Sequence, residues 1–105
     1  MEWLDFFEDE FTNVFPETPI RKISKDSTKA IWEGIYNRND VQLISRGKPS
    51  LITSEDMVIY HNNFHEIFIN KQSQDTIKIT GTYVVAWRRQ PNDSWKIVFE
   101  SVMNN

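Results

Sequence analysis

The side chains best suited to chemistry lie in one segment, residues 57 to 69, reading MVIYHNNFHEIFI, where amides, imidazoles and one carboxyl group alternate with apolar residues. His61 and His65 invite a metal reading, but valine, isoleucine and phenylalanine on either side favour a strand. Residues four apart on a strand are separated by about 13 Å, too far to share one ion. Both histidines are therefore assigned to an outer face, and no metal or other cofactor is expected. With no cysteine in the chain, a thiolate site, a thiol nucleophile and a disulfide scaffold are excluded. Serine, histidine and acidic residues are too scattered for a nucleophilic triad, and glycines at 34, 47 and 81 make no phosphate-cradling loop.

Glu66 is the remaining candidate, and its role depends on which way it faces. A register that sets Phe64 opposite Gly81 and Tyr60 opposite Val85 turns Val58, Tyr60, Asn62, Phe64, Glu66 and Phe68 inward. A carboxyl group among aromatics must be paired, hydrogen-bonded or neutral, so an inward Glu66 suits acid/base or ligand-orienting work. The competing reading is a solvated rim residue paired with Arg or Lys. Arg88 and Arg89 point to opposite faces. For each the ordinary role is an ion pair or a stem lying over tryptophan, although Arg89, beside Trp87 and Trp95, could meet a ligand anion.

These residues must be held by strands, and the chain marks them clearly at its end. Residues 81 to 90 and 94 to 103 are rich in Val, Ile, Tyr, Trp and Phe, and Pro91-Asn92-Asp93 interrupts them. A three-residue loop closed by a left-handed residue sets Trp87 opposite Ile97, Val85 opposite Phe99 and Tyr83 opposite Ser101. The other face then carries Thr82, Val84, Ala86, Arg88, Lys96, Val98, Glu100 and Val102.

Upstream, Trp3, Phe7 and Phe11 recur at four-residue spacing among acids, which predicts an amphipathic helix over residues 2 to 10. Pro16 and Pro19 bracket a short irregular or edge segment, and residues 20 to 23, which follow it, are expected to pair briefly. Ser24 is the N-cap of a second helix, with Asp26 in its first turn and Asn37 and Asn39 at its stop. Gly34 inside that helix implies close approach to a sheet. Residues 41 to 53 read as one strand bent at Gly47-Lys48-Pro49, residues 57 to 69 as the next, 71 to 75 as a loop and 76 to 90 as a third. The fold class is α+β: a curved antiparallel sheet, or cone, with N-terminal helices on its concave face, in a single domain spanning 1–105.

The string GTYVVAWRRQPNDSWKIVFE, residues 81 to 100, resembles the closing hairpin of the nuclear-transport-factor-2-like superfamily, also called ketosteroid-isomerase-like or SnoaL-like. Phe15-Pro16, Ser24-Lys25, Ala30-Ile31-Trp32 and Asp56-Met57-Val58 are similar to its short strand, third helix and following turn. The resemblance implies a conical scaffold that hosts isomerases, cyclases, dehydratases and non-catalytic proteins, so it does not give the function. Asp93 stands where the family usually has Gly. The family's long first helix across the mouth of the cone has no counterpart here, leaving the cavity more open or covered by another subunit. No acidic pair maps onto the family's catalytic positions, and none is carried over.

With 105 residues, 39% hydrophobic and 26% charged, the composition is that of an ordinary globular domain. A net charge of −3 argues against a nucleic-acid partner. Acids at 2, 5, 8, 9, 10 and 17 precede basic residues at 21, 22, 25 and 29, read as a solvated acidic face followed by a basic one. No apolar run is long enough to cross a bilayer, and the Met-Glu-Trp-Leu-Asp start lacks a basic signal region, so no membrane partner and a cytoplasmic location are expected.

The functional expectation is a binding module for a small, partly apolar ligand lined by Trp32, Tyr60, Asn62, Glu66, Tyr83 and Trp87, with no catalytic residue assigned beyond the weak candidate Glu66. The alternatives are a non-catalytic interaction protein whose cavity is filled by its own side chains and an isomerase-like or dehydratase-like enzyme. A homodimer through Ile59, Val84, Ala86, Val98 and Val102 is expected, because that face would expose apolar surface.

Overall fold

The computed structural model describes residues 2–16 and 18–104. Its elements, after a short 3-10 helix at Glu2–Phe6, are β1 (Phe7–Val14), β2 (Arg21–Ser24), α1 (Lys25–Arg38), β3 (Asn39–Arg46), β4 (Ser50–Thr53), β5 (Met57–Asn70), β6 (Thr76–Arg89) and β7 (Trp95–Asn104). The seven strands form one curved sheet in the order β2-β1-β7-β6-β5-β3, with β4 also paired to β5. All neighbours are antiparallel except β1 and β7. No helix among the described residues is long and apolar enough to cross a membrane.

The helix expected over residues 2 to 10 is corrected: it is a 3-10 turn followed by strand β1. The aromatic spacing that implied a helix serves the strand equally well, since four residues is an even number and Phe7 and Phe11 share a strand face. Both are buried at 2% exposure in the core with Leu4, Ile23, Val85 and Ile97. Helix α1 begins where the sequence places it: the Ser24 hydroxyl accepts from the Ser27 backbone N–H at 3.1 Å, and Asp26 lies in the first turn. At its end the Asn39 backbone N–H and side-chain amide both donate to the Ile35 carbonyl. Gly34 does not meet the sheet; its nearest neighbour is the helix's own Arg38 guanidinium, at 3.2 Å from where a Cβ would sit.

Strands β3 and β4 are the two halves of the expected bent strand, broken at Gly47-Lys48-Pro49, and both run along β5. The β5–β6 register sets Phe64 opposite Gly81 and Tyr60 opposite Val85, the pairing that turns Glu66 toward the concave face. The β6–β7 turn closes with Asp93 at φ 64°, its N–H donating to the Gln90 carbonyl at 2.9 Å. Beyond it, Trp87 pairs with Ile97, but Ala86 pairs with Phe99, so the register slips by one residue at Val98. This β-bulge inverts the rest of β7. Val85 stands opposite Glu100 and Tyr83 opposite Val102, in place of the expected Phe99 and Ser101.

Candidate ligand-binding cavity

A cavity of about 730 Å³ lies between α1 and the concave face of the sheet, within the range of small-molecule sites. Helix α1 supplies Ile31, Trp32, Ile35 and Tyr36 to one wall, and the sheet supplies Phe64, Phe68, Ile79 and Trp87 to the other. Trp3 and Phe6, from the 3-10 turn, also line it, packing edge-on against Trp32 and Trp87 at ring separations of 6.0 Å each. The 3-10 turn thus closes one side of the cavity.

The polar part of the cavity is organised around Glu100, which the bulge at Val98 turns inward. Glu100 is only 5% exposed. Its Oε1 accepts from Asn13 Nδ2 at 3.0 Å, from the adjacent strand β1, and its Oε2 accepts from the Tyr83 hydroxyl at 2.9 Å, from β6. Burial pushes the Glu100 carboxyl group above its usual range, and these two hydrogen bonds pull the other way. The Tyr83 phenol is raised as well, first by burial and then by the Glu100 charge and hydrogen bond. A carboxylate only accepts, so Asn13 must present its NH₂ group to Glu100. That leaves Asn13 Oδ1 buried with no partner among the described residues, and Asn62 Nδ2 is in the same condition. Asn13 is 1% and Asn62 4% exposed. Leaving such groups unpaired costs about 1–3 kcal/mol each.

Of the residues expected to line the cavity, the structure brings Trp32, Asn62, Glu66, Tyr83 and Trp87 to it. Tyr60 is corrected: it shares the concave face but packs against the buried core and does not line the cavity. Glu66 is half-buried, its carboxyl group raised by burial and lowered by the Arg46 charge. On the convex face, Ile59 stands opposite Ala86 and His61 opposite Val84, while Val98 occupies the bulge. Val102 is corrected: it stands opposite Tyr83 and lines the cavity, so it does not belong to the outer face.

Sequence reasoning missed Glu100 and Asn13. Asn13 carries a signal once residues 7 to 14 are read as a strand, because it follows Phe11 by two and shares its face. Glu100 carries none, since Ile97-Val98-Phe99 is apolar throughout and hides the extra residue. The two arginines take their ordinary roles. Arg88 makes a two-pronged ion pair with Glu8, at 2.7 and 3.1 Å, and Arg89 lies over the Trp95 ring at 5.2 Å. Among the described residues no three of His, Cys, Asp or Glu converge as a metal site.

No family model matches the chain, and no curated protein matches it. Solved structures do. A conserved protein from Planctomyces limnophilus superposes with a TM-score of 0.82 at 14% identity, covering 97% of this chain and 79% of that one. A hexachlorocyclohexane dehydrochlorinase from Novosphingobium barchaimii gives 0.79 at 14% identity, covering 97% and 70%. A nuclear transport factor 2-like superfamily protein from Salmonella enterica gives 0.75 at 14% identity, covering 94% and 72%. At such identity the likeness speaks for architecture: this chain has the nuclear-transport-factor-2-like fold.

Proposed function

We propose that the protein binds a small, partly apolar organic molecule in this cavity, its polar group seated against Glu100, Tyr83, Asn13 and Asn62. One observation carries the reading: in a mostly apolar cavity of about 730 Å³, Asn13 Oδ1 and Asn62 Nδ2 are buried without partners. Buried polar atoms in folded proteins are nearly always satisfied, and a ligand occupying the cavity would satisfy these two. The alternative of a cavity filled by the protein's own side chains is disfavoured by the same volume. Thermal melts against a library of compact aromatic and aliphatic compounds test the reading. A ligand at 100 times its dissociation constant stabilises the fold by about 2.7 kcal/mol, and Asn62→Ala should weaken it. A library in which neutral, cationic and anionic members all fail to stabilise the protein would end the proposal.

A second reading, proton transfer within the cavity, is favoured by the contact of two ionisable groups, Tyr83 and Glu100, in apolar surroundings that raise both. One similar structure is a dehydrochlorinase. Turnover abolished by Glu100→Gln with substrate affinity retained would support this reading over simple binding.

We also propose that the convex face pairs two copies of the chain. Ile52 at 62% and Ile59 at 37% exposure stand opposite each other there, while Ala86, opposite Ile59, is buried beneath the surface at 8%. Contiguous apolar surface of this kind is usually covered.

A further inference from the structure

We propose that the ligand carries a protonated amine on a compact aromatic or aliphatic body, and that Glu100 with the Asn13 amide oxygen receives the ammonium group; this rests on the cavity being a binding site. Glu100 Oε1 and Oε2 each accept one hydrogen bond, from Asn13 Nδ2 at 3.0 Å and from Tyr83 at 2.9 Å. Each carboxylate oxygen can accept a second. Asn13 Oδ1 is a further acceptor on the same side chain, buried and unpartnered. Acceptors therefore gather around Glu100, and a group with several donors fits them. Asn62 Nδ2 is the donor left over, available to a hydroxyl or carbonyl elsewhere on the ligand.

Charge points the same way. The titratable and charged side chains lining the cavity are Arg21, Tyr36, Arg46, Glu66, Tyr83 and Glu100. Both arginines are exposed, as is Tyr36, whereas Glu100 is 5% exposed. The Arg46 charge acts on Glu66 and Tyr83, whereas Glu100 is raised by burial and lowered by its hydrogen bonds to Tyr83 and Asn13. Both partners are neutral, and among the described residues no cationic side chain forms an ion pair with Glu100. An anion brought there would meet that carboxylate in a poorly screened space, while a cation would complete an ion pair already held by two hydrogen bonds. Trp3, Trp32 and Trp87 line the same cavity, and indole faces attract cations.

Binding is then linked to a proton. Burial raises the Glu100 carboxyl group and the ammonium favours its carboxylate, so a proton and the amine compete for Glu100. Affinity for the amine rises as pH rises through the Glu100 titration and falls again when the amine itself loses its proton. Glu66, which faces the cavity from β5 and is also raised, acts in the same direction.

Calorimetric titration with three probes that share a phenylethyl body and differ in the polar group tests this: 2-phenylethylamine, 2-phenylethanol and 3-phenylpropanoate. Near neutral pH the amine should bind about 10-fold more tightly than the alcohol, the gain typical of a charged over a neutral hydrogen bond. The carboxylate should bind weakest. Glu100→Gln should lower the amine to the level of the alcohol and leave the alcohol within a few-fold. If that variant fails to fold, the wild-type pH profile decides: the amine's affinity should climb with pH while the alcohol's stays flat. An alcohol or carboxylate that binds as tightly as the amine, or a flat amine profile, would overturn the proposal while leaving the cavity a binding site. Failure of all three probes to bind would remove both.

Discussion

The Tyr83 hydroxyl donates to Glu100 Oε2 at 2.9 Å, although the two residues are not register partners: Tyr83 stands opposite Val102, and Glu100 opposite Val85. The contact is diagonal across β6 and β7, within reach of a long aromatic side chain. Removing the hydroxyl leaves a buried carboxylate oxygen without its donor. Tyr83→Phe should therefore destabilise the protein by about 2 kcal/mol in urea unfolding, the range for a hydrogen bond to a charged group. A loss within experimental error would mean that solvent replaces the phenol and that Glu100 is less enclosed than described.

Stability should also depend on pH in a direction opposite to that of most carboxylates. Glu100 is raised above its ordinary value of 4.5 in the folded chain, so the native state holds a proton that the unfolded chain releases. Its contribution is fully present below the ordinary value and is lost as pH rises through the raised one. Glu66 adds to this effect. Glu8 opposes it, since its hydrogen bond to Arg88 lowers it, and the stability it gives is present above the ordinary value and lost in acid. The unfolding free energy of the wild type should fall from mildly acidic to neutral pH, and fall less in Glu100→Gln. Identical slopes in the two proteins would contradict the buried position of Glu100.

Gly81 is a tighter site than its place in a strand implies. A Cβ there would collide with the Met103 carbonyl oxygen and lie 3.1 Å from the Phe64 ring. Gly81→Ala should cost about 1–3 kcal/mol, the usual range for overpacking, and should shift Phe64 within the cavity. Unchanged melting temperature would show that β6 and β7 separate there easily.

The residue pattern made the long-strand architecture legible. Gly47-Lys48-Pro49 marks the bend between β3 and β4, Pro91-Asn92-Asp93 the final turn, and Ser24 the helix start, because each uses a residue type that local backbone geometry demands. The β5–β6 register stayed open, because residues 57 to 69 are apolar on both faces; the pairing with β6 selects the one that sets Phe64 opposite Gly81. Two further features escaped for physical reasons. Phe7 and Phe11 are compatible with a helix or a strand, and only pairing with distant β2 and β7 selects the strand. The bulge at Val98 sits in an apolar run and involves no glycine, so nothing local announces that Glu100 faces inward and Phe99 outward. The centre of the site was hidden by one residue of register.

The convex face offers a separate test of assembly. If two copies pair through it as proposed, Ile59→Glu should halve the mass seen in sedimentation without lowering the affinity of a cavity ligand. A mass unchanged from that of the wild type would count against that surface.

The most direct measurement follows the side-chain amide resonances of Asn13 and Asn62 while a saturable cavity probe, 2-phenylethanol or 2-phenylethylamine, is titrated into isotopically labelled protein. Both NH₂ pairs should shift together and saturate with the same affinity, while amides on convex-face residues such as Ile59 and His61 stay in place. Saturable binding that moves the convex face and leaves Asn13 and Asn62 unchanged would contradict it.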